Sequence, residues 1–297
     1  MLALWQTEHV ASLLRARHPS VEVSLVPIVT EGDRIQDRPL SEVGGKGLFI
    51  KELEIAMAEG RADLAVHSMK DVPAQLPDGF LIAAVLPRAD PRDAFLSTRY
   101  ASFLTLPQGA RVGTSSQRRQ SALKAARPDL EILPLRGNVD TRLRKLDEGQ
   151  FEAIILAAAG LIRLGLGARI VEFLDTTVSL PAVGQGIVGI ECRDDPTVLR
   201  LIAPLDDPST RECLSAERAV AARLEGSCTS PIAAYARHAG TTLELDALVG
   251  APDGSVVYRE RISGAARDAA HLGRTLADRL LAAGAGPLLA SLQGAGH

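Results

Sequence analysis

The sequence predicts an α/β protein with two α/β domains followed by a small α+β domain. Its 297 residues are enough for two or three domains of ordinary size. Up to about residue 205, short apolar runs typical of strands alternate with helical patterns, which indicates α/β units. After residue 208 a helix is followed by three consecutive strand patterns and a last helix, which is typical of an α+β domain.

Two segments are expected to run between the first two domains. Pro87–Pro91 is charged and bracketed by prolines, and Leu180–Gly186 is rich in proline and glycine. The first domain is therefore predicted to contain residues 1–87 and 187–205, the second residues 92–180, and the third residues 208–297.

The first domain should begin with a helix over Leu2–His18, because its apolar residues recur at helical spacing and Pro19 follows. Val21–Val29 alternates as a strand does. The glycines of Gly44–Gly47 lead into a helix over Leu48–Glu59. Leu64–Val66 and then Leu81–Leu86 complete the expected strands.

The second domain repeats the alternation of strands and helices. Strands are predicted over Ala110–Gly113, Leu130–Leu135 and Phe151–Leu156. The helices follow Ser116, which can cap a helix, and Asn138, and a short one carries Arg163.

The third domain should contain two helices and three strands. The predicted helices are Ser209–Leu224 and Ala266–Ala283, and the predicted strands are Pro231–Ala236, Thr242–Val249 and Ser255–Ile262.

Composition excludes several classes of protein. No apolar run approaches the roughly 20 residues that cross a bilayer, and the first residues do not form a signal peptide, so we expect a cytoplasmic protein. The three cysteines form no CxxC pair, so neither a disulfide framework nor a metal site is expected. Cys192 and Cys213 lie in core-like patterns, whereas Cys228 lies in a loop between a helix and a strand.

Positive charge is concentrated between residues 116 and 145. The whole chain carries a net charge of −3, but this stretch has eight basic and three acidic residues, a net of +5. Aromatic residues make up only 3% of the chain, so there is little to stack bases on. Small carboxylates or phosphates are therefore more plausible ligands than nucleic acid.

Candidate binding groups follow predicted strand ends, where ligands of α/β proteins bind. Lys70 and Asp71 follow the strand Leu64–Val66, although a solvated turn would also place a Lys beside an Asp. Arg118 and Arg119 open a helix, where acids would be more favourable, which suggests an anion site. Three further arginines are at strand-to-helix junctions or in the helices that follow: Arg136, Arg142 and Arg163.

Six segments together resemble the porphobilinogen deaminase family, the hydroxymethylbilane synthases. In chain order they are VGGKGLF (43–49), HSMKDVP (67–73), VGTSSQRRQ (112–120), LRGNV (135–139), LPAVGQG (180–186) and the cysteine loop EGSCTSP (225–231). The resemblance implies two periplasmic-binding-protein-like α/β domains and a small α+β domain that carries the cofactor cysteine.

The resemblance also implies an enzyme, a transferase of porphyrin and heme biosynthesis. It would join four porphobilinogen molecules head to tail into hydroxymethylbilane, with loss of ammonia, on a covalent dipyrromethane primer. The primer's thioether here corresponds to Cys228, and a thiolate is nucleophilic enough to form it. The protein is expected to be a monomer that binds neither nucleic acid nor a membrane.

Residue roles are carried over by the same resemblance. Asp71 would be the catalytic acid, and Arg142 and Arg163 would bind substrate. The cofactor would be held, besides Cys228, by Lys70, Ser116, Arg118, Arg119 and Arg136.

Two alternatives stay open. Family members carry a strand and a loop with an Arg and a Ser ahead of the segment that here begins at Met1, so either the start codon lies further upstream or this is a truncated homologue. We expect the chain as given to fold weakly or to be weakly active. The same pair of domains could also bind an anionic solute without reaction, in which case Cys228 would have no role.

Overall fold

The protein was analysed as a computed structural model, which describes residues 1–30, 50–226 and 230–294. Within these ranges eleven strands form three sheets. The strands are β1 (Leu64–Ser68), β2 (Phe80–Val85), β3 (Asp93–Leu96), β4 (Arg111–Gly113), β5 (Glu131–Leu133), β6 (Ala153–Ala157), β7 (Glu172–Phe173), β8 (Val188–Arg193), β9 (Ile232–Ala239), β10 (Thr242–Gly250) and β11 (Val257–Ala265).

The helices alternate with these strands much as the sequence predicts. They are α1 (Leu2–Arg17), α2 (Lys51–Ala58), α3 (Gln117–Ala126), α4 (Val139–Asp147), α5 (Ala158–Arg163), α6 (Pro196–Ile202), α7 (Pro208–Arg223), α8 (Ala269–Leu280) and α9 (Gly286–Gly294). None of these helices is long and apolar enough to span a membrane.

The first domain is built on a three-stranded antiparallel sheet with the order β1-β8-β2. Its central strand, β8, comes from more than 100 residues further along the chain. Helix α1 packs on this sheet through Val10 and Leu14, which share an apolar cluster with Ala84 and Ile190. The first domain is thus discontinuous in sequence.

One edge of this first sheet faces a cavity. β1 is an edge strand among the described residues, and a cavity of about 1070 Å³ is lined by residues 61–68 on one side and residues 21–30 on the other. The predicted strand Val21–Val29 is wrong, because no described strand lies beside it to take up its backbone hydrogen bonds. The expectation of a weakened protein stays a prediction, and Gly44–Gly47 with the start of the next helix lies outside the described residues.

The second domain has a five-stranded mixed sheet with the order β5-β4-β6-β3-β7. β4 runs parallel to β5 and β6, whereas β3 is antiparallel to β6 and β7. The carboxyl ends of β4, β5 and β6 therefore meet at one edge, where α3, α4 and α5 begin. This edge brings Ser116 and Arg136 to the same side of the domain.

The third domain is an antiparallel meander, β11-β10-β9, with α7 and α8 packed on it. Its core contains Val220 of α7, Leu245 of β10 and Leu276 of α8, all fully buried. The predicted fold class, two α/β domains and a small α+β domain, is confirmed.

Candidate active site

A rigidly held loop presents Lys70 and Asp71. Met69–Asp71 forms one helical turn directly after β1, and the Met69 N–H donates to the Ile187 carbonyl over 3.0 Å. Met69 is 1% exposed and Val72 is 8% exposed, so both pack into the core. Asp71, between these anchors, is exposed to solvent.

Cationic groups from the second domain interact electrostatically with this loop. Burial lowers the pKa of Arg142 to about 10, together with the positive charges of Arg119 and Arg136, while Asp71 opposes the shift. Burial also lowers the pKa of Lys70; Asp71 again opposes this, and Arg119 and Arg142 add to it. Five of the predicted site residues interact in this way and form one cluster: Lys70, Asp71, Arg119, Arg136 and Arg142.

This cluster carries positive charge that the described part of the chain does not neutralise. Lys70, Arg136 and Arg142 make no ion pair with any described residue, and Asp71 is the one carboxylate among the cluster's five members. Arg142 donates through Nε to the Gly137 carbonyl over 2.7 Å, which orients its guanidinium group. The arrangement is suited to binding an anion with several carboxylates.

Arg118 and Arg119, in contrast, meet a carboxylate of the protein. Arg118 Nη1 lies 2.9 Å from Asp93 Oδ2, and Arg119 Nη2 lies 2.7 Å from Asp93 Oδ1. Burial raises the pKa of Asp93, but the two guanidinium groups outweigh this effect and hold that pKa well below its usual range. The anion that these arginines were predicted to need is thus supplied, at least in part, by Asp93.

Ser116 contacts a member of the cluster, whereas the contacts of Arg163 are with other residues. Ser116 caps α3, and its Oγ accepts a hydrogen bond from the Arg119 N–H over 3.4 Å. Arg163 donates to the Gly186 carbonyl over 2.7 Å and lies over the Trp5 ring, 5.9 Å from its centroid. Burial lowers the pKa of Arg163.

The two segments that link the first two domains are tied together beside this site. Gln185 donates through Nε2 to the Pro91 carbonyl (2.6 Å) and to Asp93 (2.9 Å). Arg88 donates to the Gln185 carbonyl over 2.9 Å and pairs with Glu217 of α7, 2.6 Å away. All three domains therefore meet at these linking segments.

The predicted cofactor cysteine, Cys228, lies outside the described residues. The other two thiols are buried, at 0% exposure for Cys192 and 6% for Cys213. Burial raises the pKa of Cys192, and it raises that of Cys213 to about 11, so both are poor nucleophiles near neutral pH. No group of three or more His, Cys, Asp or Glu side chains in the described ranges could hold a metal ion.

The sequence analysis missed several polar residues of the site. Asp93 and Glu217 were not singled out, and Arg88 was noted only as part of the charged segment Pro87–Pro91 between the domains. The available signals were an acid two residues after a proline-bracketed segment, and a glutamine between two glycines in Gly184–Gly186. Neither signal identifies a partner that is tens of residues away in the sequence.

Family models match most of the chain. Residues 1–200 match "Porphobilinogen deaminase, dipyromethane cofactor binding domain", and residues 211–282 match "Porphobilinogen deaminase, C-terminal domain". The chain belongs to the porphobilinogen deaminase family. The predicted resemblance is therefore confirmed.

Curated porphobilinogen deaminases are similar over nearly the full length. The protein of that name from Chromobacterium violaceum is 56% identical over 292 residues, which cover 98% of this chain and 94% of the relative. The porphobilinogen deaminase of Laribacter hongkongensis is 53% identical over 296 residues, which cover 99% of this chain and 96% of the relative.

The solved structures to which the chain is similar are more distant. The methionine-binding protein MetQ is 16% identical with a TM-score of 0.44, covering 69% of this chain and 85% of that one. A periplasmic substrate-binding protein of an ABC transporter from Coxiella burnetii is 14% identical with a TM-score of 0.44, covering 69% and 89%. Similarity this weak carries no information about function.

The described residues fit the dipyrromethane that this family carries. Each of its two pyrroles bears an acetate and a propionate, so the group is a tetra-anion. Lys70, Arg136 and Arg142 offer cationic groups without an ion-pair partner in the described part of the chain. Burial lowers the pKa of Lys70 and of Arg142, so an arriving anion would stabilise their charged forms. A site already neutralised by acidic side chains would not fit such a group.

Proposed function

We propose that Asp71 is the catalytic carboxylate of this chain and that Cys228 is the attachment point of its dipyrromethane cofactor. The reaction is that of the porphobilinogen deaminase family: four porphobilinogen molecules are joined head to tail into hydroxymethylbilane, with loss of ammonia. The observation that supports the proposal most strongly is an exposed carboxylate, Asp71, held among cations that lack other described partners.

Asp71 acts on the charge that develops in the substrate. As ammonia leaves porphobilinogen, positive charge spreads over the pyrrole and its methylene carbon. A carboxylate fixed beside that carbon stabilises this charge without having to reorganise. The Asp71 carboxylate oxygens can also accept and return the proton of a pyrrole nitrogen or ring carbon.

Lys70, Arg136 and Arg142 bind and orient acidic pyrroles. Arginines bind carboxylates through two parallel hydrogen bonds and stay charged, which suits a substrate with two carboxylates per ring. When bound, the dipyrromethane supplies the nucleophilic pyrrole carbon to which the first substrate is joined. Of the cationic groups, Arg136 and Lys70 are assigned to the cofactor and Arg142 to incoming substrate.

Arg118, Arg119, Ser116 and Arg163 complete the proposed site. The two guanidinium groups at Asp93 exceed its single negative charge, and Arg119 also interacts with Lys70 and Arg142. Ser116 holds the start of α3, which keeps Arg119 in place, and it is assigned with both arginines to cofactor binding. Arg163 is assigned to substrate at the cleft border.

The remaining parts of the proposal concern organisation. The domains comprise residues 1–87 with 187–205, residues 92–180 and residues 208–297, and the three described sheets fall within these limits. The protein acts as a cytoplasmic monomer on a small-molecule substrate, without nucleic acid or membrane partners.

An intact-mass measurement tests the cofactor assignment. The purified protein should carry the mass of two linked pyrrole units, and Cys228→Ser should lack it, whereas Cys192→Ser should keep it. An active preparation with an unmodified Cys228 thiol would refute the assignment. A protein that binds porphobilinogen without releasing ammonia would instead be an anion-binding module.

A further inference from the structure

Helix α7 of the third domain reaches across to the loop that carries Asp71. Arg218, on this helix, donates through Nη2 to the carbonyls of Pro73 (2.8 Å) and Ala74 (2.9 Å) and through Nη1 to that of Val72 (3.4 Å). One guanidinium group thus holds three consecutive carbonyls directly after Asp71.

These carbonyls depend on Arg218. The chain at residues 72–74 belongs to no helix or sheet, so no regular backbone pattern supplies donors to these carbonyls. No other described residue donates a hydrogen bond to any of the three. Pro73 has no N–H of its own and keeps its neighbours extended. A planar guanidinium with several fixed donors can span consecutive carbonyls, whereas a lysine ammonium acts as a single point.

The other end of the loop rests on the same helix. Leu214 lies one turn before Arg218, on the same face of α7, and packs in one buried cluster with Met69 and Val72. Helix α7 therefore fixes the loop both before Lys70 and after Asp71. The same helix ends at Arg223, five residues before Cys228.

We infer that Arg218 is a positioning residue for catalysis, which fixes Asp71 by holding the backbone that follows it. The inference rests on the proposed role of Asp71. Attraction by Lys70 and Arg142 tends to move the exposed Asp71 carboxylate, and each added pyrrole brings further charge into the cleft. With the carbonyls of residues 72–74 held to α7, these forces act on the side chain alone.

A purely structural role for Arg218 can be separated by a matched control on the same helix. Arg211, two turns earlier, also donates to first-domain carbonyls, those of Ala83 (2.9 Å) and Ile82 (3.3 Å), and pairs with Asp206 over 2.6 Å. Arg211 joins the same two domains, but its hydrogen bonds go to strand β2 rather than to the loop that carries Asp71. Loss of either arginine should affect domain contact, and only loss of Arg218 should affect Asp71.

The experiment compares Arg218→Ala, Arg218→Lys and Arg211→Ala as holoenzymes. Misplacement of a catalytic group by about 1 Å costs up to about 100-fold in rate, so kcat of Arg218→Ala should fall about 10- to 100-fold, with KM within about 3-fold. Arg218→Lys should recover part of this loss through one carbonyl. Arg211→Ala should keep kcat within about 3-fold even where its melting temperature falls as much as that of Arg218→Ala.

Added guanidinium ion supplies a second readout. It should restore kcat to Arg218→Ala by filling the space of the lost group, and it should not raise kcat of Arg211→Ala or of the unchanged protein. Equal kcat losses in the two alanine variants, each following thermal stability, would overturn the inference, as would an unchanged kcat in a fully folded Arg218→Ala protein.

Failure of the underlying proposal would look different. If Asp71→Asn kept its activity, Asp71 would not be the catalytic carboxylate, whatever Arg218 does. If Asp71→Asn lost activity and Arg218→Ala did not, only the positioning role would be wrong. The intact mass should show both pyrrole units on each variant, so that a defect in cofactor assembly is not mistaken for misplacement.

Discussion

Two neighbouring groups of arginines in the second domain have opposite electrostatic surroundings. Arg118 and Arg119 are 4% and 7% exposed and share the buried carboxylate of Asp93. Arg136 and Arg142 have no ion-pair partner among the described residues, and Asp71 is the carboxylate that acts on Arg142. One basic stretch therefore contains two arginines whose charge is balanced in part by a buried carboxylate of the protein, and two whose charge has no ion-pair partner in the described ranges, as the proposed ligand-binding role requires.

The largest effect expected from this comparison is the loss of Asp93. Asp93→Asn leaves two buried guanidinium groups without a carboxylate, and breaking a buried pair in this way costs about 3–5 kcal/mol. Urea unfolding of the variant should show a loss of this size in the free energy of unfolding. If the variant unfolds like the unchanged protein, the Asp93 group is not structural and the comparison fails.

Asp71→Asn should have the converse effect of Asp93→Asn: it should lower the catalytic rate and leave stability nearly unchanged. Removal of the charge costs the electrostatic stabilisation of the reacting pyrrole, about 10²- to 10³-fold in kcat. Because Asp71 is exposed and makes no hydrogen bond to a described residue, the melting temperature should hardly change. The measurements are the steady-state rate of ammonia release and a thermal melt of the same variant. A lower melting temperature with an unchanged rate would show that Asp71 is structural rather than catalytic.

Arg142→Gln tests the second group, Arg136 and Arg142, which has no ion-pair partner among the described residues. It should weaken substrate binding about tenfold, seen as a rise in KM, through loss of one charged bidentate contact. The melting temperature of the cofactor-free protein should stay equal or rise, because the positive charges of Arg119 and Arg136 no longer face a third. Arg144→Gln, on the same helix with an exposed side chain 3.7 Å from Glu148, is the control and should change neither quantity.

The smallest effect concerns acid stability. Asp93 has a folded-state pKa below its unfolded value of 3.8, so its stabilisation is fully present above that value and is lost as the pH falls through the range below about 4. Between pH 5 and 3 the unchanged protein should lose about 1 kcal/mol more than Asp93→Asn does. Parallel stability curves for the two proteins in this range would show that Asp93 is not paired in solution.

Local sequence patterns predicted the elements of the fold but not their long-range partners. The helix over α1, the Ser116 cap and the three strands of the last domain were readable, because periodicity and capping are local. Val21–Val29 was wrongly predicted as a strand, since a strand also needs a neighbour that its own sequence does not reveal. Strand β3 was missed because its neighbours, β6 and β7, lie far along the chain and its own four residues do not reveal them.

The candidate site shows the same division. The basic residues and Asp71 could be found as charges after strand ends, and the family resemblance gave them roles. The pairing of Asp93 with Arg118, 25 residues away, could not be found, because both charges are ordinary at the level of sequence. Arg218 contacts carbonyls 144 to 146 residues earlier in the chain and gives no local signal at all.

The position of β8 between β1 and β2 has a consequence for how the chain emerges from the ribosome. The first sheet has no central strand until residue 193 has been synthesised, whereas the sheet from Asp93 to Phe173 uses one uninterrupted stretch. The second domain can therefore fold first. Strands β1 and β2 of the first domain stay unpaired until β8, which is translated much later, lies between them.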